Sequence, residues 1–129
     1  MGMLTVQVSV GEVIDKVTIL EIKLAHIADA DKRQNIQFEH DGLWQVLRES
    51  GVLTDEVLAL KASLKTINEA LWAIEDDIRA CERRKVFDDA FVQLARSVYH
   101  TNDERAKVKR TINEVTQSQM IEEKSYQAY

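Results

Sequence analysis

The chain predicts an all-α fold: an antiparallel bundle of three or four helices, dominated by one long helical hairpin. Three observations predict it. There is no proline, and all four glycines stand at or before Gly51, so residues 52–129 hold nothing that punctuates a chain strongly. From Val57 through Leu60, Leu64, Ile67, Leu71, Ile74, Ile78 and Cys81, apolar residues recur at alternating intervals of three and four without a miss. A length of 129 residues makes one domain with one core. A β-sandwich, a barrel or a doubly wound sheet would need many Gly/Pro turns, and a glycine-rich phosphate loop is absent for the same reason.

At the N-terminus, Leu4, Val6 and Val8 alternate with Thr5 and Gln7. This reads as a short strand, or equally as a plain extended lead-in. A strand here needs a partner, either the tail around Met120-Ile121 or the same segment of a second chain. Ser9 and Glu12 then form an S-x-x-E capping box. The helix that follows carries Val10, Val13, Val17, Leu20, Leu24 and Ile27 on one face, and Asp15, Ile19, Ile22 and His26 on another. A helix apolar on two sides is either central in its bundle or shared with a partner chain, and the reading adopted is a homodimer. A break at Asp29 and Asp31 leads to a second helix over about residues 32–48, with Ile36, His40, Leu43 and Leu47 inward, Trp44 beside them and Gly42 weakening its middle. Gly51 fits its left-handed C-terminal position. Thr54 caps the long helix, which runs to about Arg84, some 45 Å. After a short connection Asp88 or Asp89 caps the last helix, extending to about residue 117. So short a connection makes the two long helices antiparallel neighbours.

The pattern breaks in the middle of the last helix. Its seam begins with Phe91, Leu94 and Val98 and resumes at Ile112, but between them the same face carries Asn102, Arg105 and Lys109. Buried cations must be paired, hydrated or turned to a ligand. With the connection centred near residue 86, position 102 lies opposite about position 70, beside the stripe Asn68, Trp72, Glu75 and Arg79. Glu75 reaches Arg79 at i+4 or Arg105 across the interface. The first helix offers Glu12, Asp15, Lys16 or Lys23, its rotation being unknown. Two readings follow. One is a closed network of ions and amides that fixes helix register, and it weighs more because structural networks perturb charges as readily as active sites do. The other is a polar pocket between helices for a small anionic ligand, with Asn68, Trp72, Glu75, Arg79, Asn102, Arg105, Lys109, Asp15 and Lys16 as its candidate residues.

A net charge of -5 argues against a nucleic-acid or anionic-membrane partner. Glu82-Arg83-Arg84-Lys85 reads as a solvated helix end. Cys81 is the sole cysteine and lies on the apolar stripe, so no internal disulfide forms and a packed thiol is expected. With no signal segment and no apolar run approaching 18 residues, a reducing cytoplasm is the expected compartment. His26, His40 and His100 have no metal-site spacing, no cofactor is implied, and nothing resembles a nucleophile elbow. Glu12 and Asp15 form E-x-x-D, as in the Mg²⁺ sites of all-α nucleotide pyrophosphohydrolases, but the second acidic pair fails: Glu69 is followed at +3 by Trp72 and Glu75 by Ile78. Val13 to Lys23 bears a slight likeness to chorismate mutase, yet lacks that family's arginine on the first helix.

Three longer segments carry a broader resemblance. They are Ser9 to Lys23, then Asn68 to Arg79, then Ala95 to Ala106 continuing through Lys109 to Ile112-Asn113 and the tail from Glu122 to Tyr126. Together they resemble a family of short bacterial and phage proteins known only as a domain of unknown function. The likeness spans nearly the whole chain and is least around residues 30–55. It implies no established activity. It implies a place near sugar-transfer and surface-polysaccharide genes, which makes sugar phosphates and nucleotide sugars the first ligands to try. The residues by which it is recognised are Glu12, Asp15, Lys16, Asn68, Glu75, Arg79, Asn102 and Arg105.

Two functional classes therefore stand. The favoured one is a small non-catalytic binding or assembly module, an accessory of carbohydrate or surface-polysaccharide metabolism. The alternative is a small all-α enzyme, mutase-like or metal-dependent pyrophosphohydrolase-like, acting on a phosphorylated or carboxylated metabolite. In it Glu75 or Asp15 is the acid/base, and Arg105, Lys109 and Arg79 clamp the anion.

Overall fold

The structure, a computed structural model, describes residues 2–118, 123 and 125–128. Four helices follow in order: α1 Val10–His26, α2 Ala30–Ser50, α3 Asp55–Arg84 and α4 Asp89–Val115. Each begins at a side-chain cap. Ser9, Asp29, Thr54 and Asp88 accept from the amides of Glu12, Lys32, Val57 and Phe91. The return leg of the capping box at Ser9 is not made, because the Glu12 carboxylate goes to Lys109 instead. Gly51 ends α2 in the left-handed region at φ 77°, as expected. Lys85 ends α3 in the same region at φ 56°, a conformation costing a non-glycine residue about 1 kcal/mol. Gly42 does not interrupt α2.

The helices alternate in direction. Arg33 of α2 hydrogen-bonds the last carbonyls of α1, at Leu24 and Ile27, while Glu12 and Asp15 near the start of α1 meet Lys109 and Arg105 near the end of α4. α1 packs closely against α2, α3 and α4, and α3 against α4, which makes α1 the central helix. Apart from the exposed His26, both of its stripes are thereby at least partly buried within one chain, so the two-sided helix does not call for a second copy. Burial on α1 even exceeds the two stripes, since Ile14 and Thr18, on neither, are fully buried. The core comprises Ile14, Val17, Leu47, Val57, Leu64 and Ile112, with Val10, Val13, Leu43, Trp44 and Leu60 packed around it. The 30 residues of α3 span about 45 Å against about 26 Å for α1. The α3–α4 hairpin therefore continues past α1, with Cys81 buried near its tip as the packed thiol expected.

The N-terminal strand does not form. No strand occurs among the described residues, and Leu4 and Val6 are 93% and 72% exposed. A lone extended segment has no ladder to join here. The proposed partner at Met120-Ile121 lies outside the described residues. No helix among the described residues is long and apolar enough to cross a membrane.

Candidate functional site

Asp15 organises the junction of α1, α3 and α4. It is 1% exposed, and its carboxylate is gripped on both oxygens by Arg105, whose Nε donates to Oδ1 at 2.9 Å while Nη2 donates to Oδ2. Asn68 of α3 donates to the same Oδ1 at 2.9 Å and to the Thr18 hydroxyl at 2.9 Å. Thr18 in turn donates to the Asp15 carbonyl at 2.7 Å. A carboxylate so buried is tolerable because a bidentate guanidinium and an amide replace its water.

One turn away, Lys109 lies 93% out of solvent along its side chain and donates to Glu12 at 2.8 Å. Beside it Asn113 accepts from the Gly11 amide at 2.7 Å, satisfying an orphan N–H of the first turn of α1 from a different helix. Glycine at position 11 permits this approach: a Cβ there would stand 2.6 Å from the Lys109 carbonyl oxygen.

Next to the Asp15 network opens a cleft of about 300 Å³. Its apolar side is formed by Ile19, Ile22, Leu71, Val98 and the ring of Trp72. Its polar side is formed by Asn68, Glu75, Asn102 and Arg105, the last with its side chain 28% exposed. Outside the cleft, His26 stacks on Trp72 with ring centroids 4.7 Å apart.

The nine candidate residues thus separate into three groups. Asn68, Trp72, Glu75, Asn102 and Arg105 share the cleft, with Asp15 directly behind Arg105. Lys109 belongs to the neighbouring pair with Glu12 and does not line the cleft. Arg79 and Lys16 are surface groups, Arg79 bonded to Glu75 at 2.8 Å and Lys16 lying 3.8 Å from Glu39. Glu75 takes its i+4 partner, leaving Arg105 to Asp15.

Sequence reasoning missed Thr18, Gly11 and Asn113. It also missed a second polar cluster, in which Glu21 of α1 accepts from His40 of α2 at 2.9 Å and Lys61 of α3 at 3.0 Å, with Lys65 at 3.2 Å. Lys61 lies over the Trp44 ring, and the other nitrogen of His40 is 3.2 Å from an Asp41 carboxylate oxygen. His40 thus finds its partners in two carboxylates. Burial pushes the Glu21 carboxyl up, but its bonds from His40, Lys61 and Lys65 outweigh this and hold it below the usual carboxylate range. The i, i+3 spacing of Asp15 and Thr18 was the available signal for Thr18, whereas nothing local marks Gly11 or Asn113.

Among the described residues no three His, Cys, Asp or Glu side chains gather to hold a metal, and both members of the E-x-x-D pair turn to cations. The folded arrangement of the three resembling segments now has a sequence counterpart, a match extending over residues 4–129 to a family of unknown function. The chain belongs to the DUF6165 family. The DUF6165 match covers all four helices and the buried network alike. No curated protein and no solved structure matches the chain.

Proposed function

We propose that this DUF6165 protein is a small helical binding module whose inter-helix cleft takes a small polar ligand, and that it serves carbohydrate or surface-polysaccharide metabolism as an accessory. One observation carries the reading. Asn102 lines the cleft with no hydrogen-bond partner among the described residues, while Asp15, Thr18 and Arg105 behind it are bonded into one network with Asn68. Its amide is only half buried, so it is open to a ligand entering the cleft. The cleft also combines a mainly apolar wall with a few convergent polar groups, as ligand sites do, and its volume is at the low end for such sites.

The enzymatic alternative has weaker support. Its acid/base Asp15 is held on both oxygens, and of its three anion clamps only Arg105 reaches the cleft. Of its two acid/base candidates only Glu75 lines the cleft. The small anionic ligand loses ground on the same facts, since the cleft's cation is already chelated.

A thermal-shift screen of sugars, sugar phosphates and nucleotide sugars tests the proposal. A ligand present at 100 times its Kd should stabilise the protein by about 2.7 kcal/mol. The same compound should leave a Val98→Trp variant, whose indole fills the cleft, unmoved. Equal stabilisation of both proteins, or of neither, would remove the cleft as a binding site.

A further inference from the structure

We infer that the cleft selects an uncharged, polyhydroxylated ring over phosphorylated or carboxylated counterparts of the same ring. The inference rests on the cleft being a ligand site and names the class of ligand that its charges admit.

The charges inside balance. Arg105 faces the cleft but is committed in bidentate fashion to Asp15, and the Glu75 carboxylate lines the same cleft with Arg79 as its outer partner. An incoming anion would compete with Asp15 for a guanidinium it already holds, and would do so beside Glu75. Desolvating a second negative charge there is unfavourable, and a like charge within reach excludes it further.

The neutral groups point the same way. Both amide hydrogens of Asn68 are spent, on Asp15 and Thr18, so its side chain has only a carbonyl acceptor left to give. Asn102 brings two donors and an acceptor, and the indole N–H of Trp72 has no acceptor among the described residues. Mixed donors and acceptors on uncharged groups match hydroxyls, which donate and accept at once, whereas a phosphate or carboxylate only accepts. The apolar wall of Ile19, Leu71, Trp72 and Val98 would take the C–H face of the ring.

The test follows the side-chain amide resonance of Asn102 and the indole resonance of Trp72 by NMR in the full chain. Neutral methyl hexosides, hexose 6-phosphates and hexuronates are titrated separately. Expected is saturable movement of both resonances with at least one neutral hexoside, binding about tenfold tighter than its phosphorylated or carboxylated counterpart. An Asn102→Leu variant, half-exposed and outside the core, should stay folded and abolish the indole response. Tighter binding of the phosphates or uronates at these same resonances would overturn the neutral class and leave the cleft standing. No response to any compound would overturn the cleft reading and this inference together.

Discussion

Asp15 shows at the scale of one residue how a buried charge is made tolerable. Five hydrogen bonds converge on Asp15 and Thr18, drawn from three helices, so each partner holds a helix in place as well as a charge. Arg105→Ala removes the bidentate partner and leaves the carboxylate buried, and should cost about 3 kcal/mol in urea denaturation. Arg105→Lys keeps the charge but loses the fork, and should cost about 1 kcal/mol. Equal losses for the two variants would mean that charge without the fork contributes nothing, and no loss in Arg105→Lys would mean that the fork contributes nothing. Glu21 is held by partners that lower its pKa. Its folded pKa lies below its unfolded one, so its contribution is complete above the ordinary glutamate value, about 4.3, and is lost as pH falls through the lowered value. Glu21→Gln should therefore destabilise at neutral pH, and the gap between the two proteins should narrow progressively below about pH 4. A gap that stayed constant with pH would assign the loss to packing.

At the scale of elements, two glycines inside helices play opposite parts. Gly11 sits where α1 meets α4, and an added Cβ would meet the Lys109 backbone oxygen at 2.6 Å and Asn113 Oδ1 at 2.9 Å. Backbone cannot step aside as a flexible side chain would, so Gly11→Ala should push the helices apart at a cost of about 2 kcal/mol. Gly42 faces open space in the middle of α2. Gly42→Ala should stabilise by about 0.5 to 1 kcal/mol, because alanine loses less backbone entropy in a helix. Thermal melts of the two variants should move in opposite directions. The elements themselves were legible. The unbroken seam of α3, the caps at Ser9, Thr54 and Asp88, and Gly51 all set local structure through interactions within a few residues. The strand at residues 4–8 was not decided by its alternation, since a strand exists only in a ladder and no ladder is within reach of it among the described residues.

For the whole molecule, the expected homodimer now rests on that N-terminal segment. Apart from His26, the two stripes of α1 are at least partly buried internally, but Leu4, Val6 and Val8 remain exposed on a stretch without charge from Gly2 to Gly11. A homodimer built by pairing these segments should sediment as a dimer at micromolar concentration and revert to monomer on Leu4→Ser/Val6→Ser substitution. A wild-type monomer at that concentration would remove the proposal.

The sequence by itself determined that α4 carries a polar interruption in an apolar seam and that α3 faces it, because helical periodicity and one short connection fix both. It marked Asn68, Asn102 and Arg105 from that logic alone. Only the tertiary structure decided which carboxylate Arg105 would take. Glu75 on α3 and Asp15 on α1 were both candidates, and the choice turned on the rotation of α1 about its axis. That rotation follows from packing one helix against three neighbours at once, with contacts between helices up to 102 positions apart in the chain, which no local spacing encodes. Beside that ion pair lies the cleft that Asn102 lines.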